Sequence, residues 1–250
     1  MIFRPGGHRT LPTVIKNLFI INVLVFVAEL TYGQKLPLVD WFGLHSWQSP
    51  YFQPWQFITS MFMHGSWQHL FANMLALLMF GADLEAFWGP KRFITFYVAS
   101  GLGSALCHMI VLFFENQAVL QAYHHLLTVP EAEKYDAVMQ FIQQFGMGGR
   151  GTVEQIVGMW VNQSTIGASG AIFGCIAGFG FLYANVEPFP GLPIKGKWIA
   201  LGSIGTEMYI VSTYGTNAGD GVAHFAHLGG ALTGFLLVYF WNKTNRRPNN

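Results

Sequence analysis

A polytopic all-α membrane protein is the fold this sequence predicts, and three observations predict it. Only 10% of the 250 residues are charged and 52% are hydrophobic, against about 25% charged in an ordinary soluble domain. Six apolar segments, 14–31, 67–87, 92–114, 168–186, 197–214 and 223–242, approach the roughly 20 residues that a crossing helix requires. The 13 basic residues divide ten to three between alternate connections, the asymmetry that orients such chains with basic loops in the cytoplasm.

The first segment follows Arg4, Arg9 and Lys16 and superficially resembles a secretory signal. Val27-Ala28-Glu29-Leu30 is a poor cleavage site and five more apolar segments follow, so 14–31 reads as a retained span. The connection 32–66 carries Trp41, Phe42, Trp47, Tyr51, Phe52 and Trp55, a density suited to a loop lying in the membrane interface. Spans two and three flank the basic pair Lys91-Arg92. The connection 115–166 is long, and both Thr128-Val129-Pro130-Glu131 and Thr152-Val153-Glu154-Gln155 have the capping-box form. Short amphipathic helices are expected over 129–145 and 153–161, with Gly146 to Gly151 as a flexible break. Spans four and five are rich in glycine, and span five carries Glu207, an intramembrane carboxylate that asks for a partner.

With the N-terminus in the cytoplasm, both tails, 1–13 and 243–250, lie there and residues 14–242 form one core domain. A bacterial inner membrane is the expected location. A net charge of +1 offers no field that would attract nucleic acid. Cys107 and Cys175 sit in apolar stretches and read as buried fillers. The sequence is silent on oligomeric state.

Spans two, four and six then run inward from the outside. At about 1.5 Å per residue, Ser169 near the start of span four and His227 a few residues into span six fall at similar depth in the outer half. His64, His69 and Asn73 begin span two on the same side. A serine hydroxyl attacks poorly unless a base takes its proton, and His227 could be that base. Stripes of small residues, Gly170, Gly174 and Gly178 on span four and Ala226, Gly230 and Gly234 on span six, would let the backbones approach. Taken singly, Ser169 could be a packing residue, and His69 with Asn73 could merely join helices through hydrogen bonds. A metal site among His64, His69, His224 and His227 is disfavoured, since no His-Glu-x-x-His occurs and no carboxylate lies at ligand spacing.

Gly-Ala-Ser169-Gly, Ala-His227-Leu-Gly-Gly and His64-Gly-Ser-Trp-Gln-His69-Leu-Phe-Ala-Asn73 together resemble the rhomboid intramembrane serine proteases, over essentially the whole chain. The resemblance implies a six-span rhomboid bundle that hydrolyses transmembrane protein substrates within the lipid bilayer, without a cofactor or metal. It implies a Ser169–His227 dyad with no acidic third member. His69, Asn73 and the amide of Ser169 would form the oxyanion hole, with His64, Gly167, Gly170 and Phe173 in support. His227, directly before Leu-Gly-Gly, takes the catalytic place, and His224 a solvated or structural one. Substrate would enter between spans two and five, beneath a mobile cap at Gly215 to Gly221. Three positions bear on family features: Gln56 stands where many members have arginine, Phe173 where some have tyrosine, and Glu85 matches an acidic position serving cytoplasmic-side structure. The competing readings are a catalytically dead rhomboid-like protein that binds membrane clients and, through Glu207, a transporter.

Overall fold

The computed structural model describes residues 11–146, 151–189, 191–215 and 222–245. Helix α1 (Thr13–Tyr32) starts after Pro12. The first amides of a helix have no acceptor within it; here Val14 and Ile15 donate to the two carboxylate oxygens of Glu85 at 2.9 and 2.8 Å. The following connection contains α2 (Leu38–Phe42), strand β1 (Leu44–His45) and α3 (Gln56–Thr59), which tightens into a 3₁₀ turn, Ser60–Phe62. Helix α4 (Trp67–Ala76) is capped by the Ser66 hydroxyl, which accepts from the His69 amide at 3.1 Å. One π-helical turn, Leu77–Gly81, leads into α5 (Ala82–Trp88). Then come α6 (Pro90–Thr128), a 3₁₀ turn at Glu131–Glu133, α7 (Lys134–Phe145), α8 (Val153–Val161) and β2 (Ser164–Thr165). The chain continues with α9 (Ser169–Leu182), α10 (Gly196–Tyr214) and α11 (His224–Asn245). Among the described residues, three helical stretches are long and apolar enough to cross a membrane: α1, the α4–α5 run and α6; α9 is a shorter apolar helix.

Two expectations need correction. The third helix does not end at 114 but runs to Thr128, so the first part of the 115–166 connection is a helical extension. Nothing in that stretch breaks a helix until Pro130, and the residue before a proline is held out of the helical region; Val129 has ψ 134°. Thr128 consequently ends α6, its hydroxyl donating to the His125 carbonyl at 2.7 Å, and caps nothing after it. The second box does form, with Thr152 and Gln155 exchanging both hydrogen bonds. Residues 147–150 of the expected glycine break and 216–221 of the expected cap lie outside the described residues, as do 1–10 and 246–250.

Helix α9 is the centre of the bundle: ten of its 14 residues are buried. It packs chiefly on α11 and α6, at backbone contact. A Cβ on Gly234 would stand 2.6 Å from the Gly174 Cα, and one on Gly103 of α6 would meet the Thr233 hydroxyl at 2.0 Å. Helix α10 is peripheral, burying only Gly196, Ala200 and Glu207. Beyond the bundle, the distal half of α6 carries a second core in which Val119 and Leu126 meet Phe141, Phe145, Ile156 and Trp160 of α7 and α8. That small core delivers the chain to β2, which pairs antiparallel with β1 (Leu44 opposite Thr165, His45 opposite Ser164). The Gly167 amide then donates to the Ser60 carbonyl at 2.9 Å. Both ties hold the segment that enters α9.

Candidate active site

Ser169 is the first residue of α9, and its Oγ lies 2.8 Å from Nε2 of His227, three residues into α11. The imidazole is buried and stacked on Phe173, with ring centroids 4.2 Å apart and planes 8° from parallel. Its other nitrogen, Nδ1, is 2.9 Å from Oε1 of Glu207 on α10. A carboxylate only accepts, so Nδ1 carries the proton. Nε2 is thereby left as the acceptor and the serine hydroxyl as donor. Glu207 also accepts, through Oε2, from Nδ1 of His224 at 2.5 Å.

A cavity of about 780 Å³ opens on this pair and is bordered by His69 and Asn73 of α4. Asn73 is buried, and its amide nitrogen has no hydrogen-bond acceptor among the described residues. His69 reaches the cavity because Gly167 leaves room: a Cβ there would lie 2.8 Å from the imidazole, and the backbone φ of +131° is one that side chains rarely adopt. His64 is buried behind, its ring edge-on to His69 at 5.0 Å. The His64 amide donates to Glu29 of α1 at 3.0 Å. Gly170 serves close packing, since a Cβ on it would strike the Ser104 hydroxyl of α6 at 2.0 Å. Ser169, His227, His69, Asn73, Gly167, Gly170 and Phe173 all border this cavity, and His64 lies behind His69.

The sequence profile described as Rhomboid domain matches residues 51–128 and 133–243. The chain belongs to the rhomboid family. It is 24% identical over 231 residues to the rhomboid protease AarA of Providencia stuartii, covering 88% of this chain and 69% of that protein. It is 26% identical over 197 residues to the mitochondrial Rhomboid protein 1 of Saccharomyces cerevisiae, covering 74% of this chain and 41% of the relative. RHOMBOID-like protein 5 of Arabidopsis thaliana is 42% identical over 52 residues, 21% of this chain and 17% of the relative. The matched stretches thus cover less than half of these yeast and plant relatives. Its rhomboid domain and apolar helices make it an integral membrane protein.

Within this rhomboid the carboxylate beside the histidine is the residue whose place sequence reasoning missed. Glu207 stood out as an unpartnered acid; its partners are two histidines on the next helix. The solvated option for His224 falls, because the ring is buried against Glu207. His108 was missed altogether: it lines the cavity from α6 and hydrogen-bonds Thr165 Oγ1 through Nε2 at 2.6 Å. A histidine in the latter half of the third apolar segment was the available signal.

Among the described residues, Glu207, His224 and His227 present ligand atoms within 4.8 Å of one another and could hold a metal ion. The spacing argues for protons instead. Tetrahedral zinc with bonds of about 2.0–2.1 Å holds its ligand atoms about 3.3 Å apart, whereas both carboxylate–imidazole distances here are hydrogen-bond lengths of 2.5 and 2.9 Å. In the first connection, Gln56 does what an arginine could not. Its fully buried amide accepts from His45 and Gln53 and donates to the carbonyls of Asp40 and Tyr51.

Proposed function

We propose that the protein is an intramembrane serine endopeptidase that hydrolyses peptide bonds in transmembrane segments of other membrane proteins. The single observation that carries this is the 2.8 Å contact between Ser169 Oγ and His227 Nε2 inside a cavity edged by hydrogen-bond donors. Ser169 Oγ attacks the scissile carbonyl carbon as its proton passes to His227 Nε2. The carbonyl oxygen becomes an oxyanion, which accepts from His69, Asn73 Nδ2 and the Ser169 amide. That amide, in the first turn of α9, has no acceptor within its helix, and the helix dipole favours negative charge there. The tetrahedral intermediate collapses, the C–N bond breaks, and His227 gives its proton to the leaving amine. Water, deprotonated by the same imidazole, then releases the acyl group and restores the serine.

The six-span arrangement with both ends in the cytoplasm accompanies this reading, as does a bacterial inner membrane as location. No cofactor takes part. Lateral entry between the α4–α5 run and α10 is supported by α10 burying three residues of 19, fewer than any other long helix of the bundle. A substrate helix hides its carbonyls in hydrogen bonds, so it must unwind at the site.

Purified protein in detergent, given a model transmembrane substrate, provides the test. Wild type is expected to cleave and to react with a serine-directed fluorophosphonate; Ser169→Ala and His227→Ala are expected to do neither while remaining folded. Cleavage undiminished in Ser169→Ala would end the proposal. Binding of the segment by wild type without cleavage or labelling would make the protein a client-binding rhomboid instead.

A further inference from the structure

We infer that Glu207 completes a Ser169–His227–Glu207 triad, acting as a positioning residue for the base, and that His224 anchors the carboxylate. The inference rests on the protease reading above and adds a member to a pair otherwise expected to work alone.

The geometry is that of a relay of orientation. Glu207 Oε1 accepts from Nδ1 of His227 at 2.9 Å while Nε2 of the same ring meets Ser169 Oγ at 2.8 Å. A base must expose an unprotonated nitrogen to its nucleophile; a carboxylate at the far nitrogen enforces that tautomer. The same carboxylate lowers the energy of the imidazolium formed when the serine proton arrives. Stacking on Phe173 sets the plane of the ring but cannot choose between its two nitrogens.

A carboxylate alone on the peripheral α10 would be poorly held. The second bond, from His224 Nδ1 to Oε2 at 2.5 Å, removes that freedom by gripping the other oxygen. His224 and His227 are three apart on α11, so one acid bridges two successive positions of a helix face. The arrangement also joins α10 to α11 at the level of the chemistry. Other titratable groups face His227 as well: His69 on α4 and His108 on α6 both lie near enough for their charges to interact with it. Both are histidines, and α9 contributes Ser169 and Phe173. Among the described residues Glu207 is therefore the only anion against the base.

Purified wild type, Glu207→Gln, Glu207→Asp and His224→Ala are compared for kcat, KM and the pH profile of kcat/KM, with thermal melting as the check on folding. Glu207→Gln is expected to lose at least about tenfold in kcat with KM little changed, set against about 10⁴-fold where a buried acid is the histidine's sole support. Its acidic limb should move to lower pH, because an imidazolium without the carboxylate forms less readily. Glu207→Asp keeps the charge and should return the limb towards wild type with part of the rate. His224→Ala should lower kcat less than Glu207→Gln. Wild-type cleavage in EDTA should be undiminished; a loss that added Zn²⁺ restores would overturn the inference by making these groups a metal site. An unchanged kcat and pH limb in Glu207→Gln, with wild type active and Ser169→Ala inert, would remove the triad and leave the protease reading standing. Failure of wild type to cleave or label would remove both. Should Glu207→Gln not fold, Glu207→Asp alone decides: its shortened side chain must lower kcat while leaving KM.

Discussion

The phenyl ring of Phe173 lies parallel to the imidazole of His227, one helical turn beyond the serine that the imidazole contacts. The contact carries no hydrogen bond, so its work is to hold the plane of the base. Aromatic pairs are worth about 0.5–1.5 kcal/mol beyond burial, which corresponds to roughly 2- to 12-fold in rate if the whole stack is lost. Phe173→Leu is expected to reduce kcat within that span, and Phe173→Tyr to stay near wild type. Steady-state kinetics on a transmembrane substrate reads both.

His69→Ala and Asn73→Ala should each slow turnover without abolishing it. Asn73 brings a buried amide nitrogen with no acceptor among the described residues, a donor waiting for charge. Removing one such donor costs about 10²–10³ in kcat elsewhere, and about 100-fold is expected here. Ser169 labelling should slow in parallel. Unchanged rates would discard the oxyanion assignment.

Glycine spacing makes a prediction about stability. A Cβ on Gly230 would stand 1.9 Å from the carbonyl oxygen of Gly170, backbone against backbone, with no flexible side chain to give way. Overpacking of that kind typically costs about 1–3 kcal/mol. Gly230→Ala should lower the melting temperature and, by prising α9 from α11, separate Ser169 from His227. Gly205→Ala on α10, where a Cβ meets nothing within 4 Å, should melt within about 1 kcal/mol of wild type.

Gln56 tests how the first connection is held. It satisfies two amides and two carbonyls at once, using an acceptor and a donor. Each buried group left without a partner costs about 1–3 kcal/mol, so Gln56→Ala should destabilise by about 2 kcal/mol or more. Arginine has donors only, so Gln56→Arg leaves the His45 and Gln53 amides without their acceptor and should destabilise as well. Thermal unfolding in detergent checks both substitutions.

Depth counting from the sequence brings Ser169, His227, His69 and Asn73 into one layer because a helix rises uniformly and each of these residues sits near a span's end. The same count from Tyr214 puts Glu207 about 10 Å below the end of α10, about as deep as Asn73 lies below the start of α4. Its facing was unreadable. In α10, Trp198, Leu201, Met208 and Tyr209 are exposed and apolar, so no contrast between wet and dry faces marks the buried side, as it would in a soluble helix. Thr128 and Thr152 carry the same capping pattern, but Pro130 forces the chain after Thr128 into an extended path, and only Thr152 caps.

Composition, the run of apolar segments and three short motifs were enough to specify a helical membrane protein, its family likeness and the serine and histidine of its candidate site. Those properties follow from local chemistry: transfer of side chains into lipid, helix rise, and residue types that must be adjacent in sequence. Tertiary structure alone decided that Gln56 organises the first connection and that Glu207 grips two histidines. Each depends on how one helix is rotated and packed against another. Where lipid-facing and protein-facing positions are equally apolar, no sequence period records that rotation.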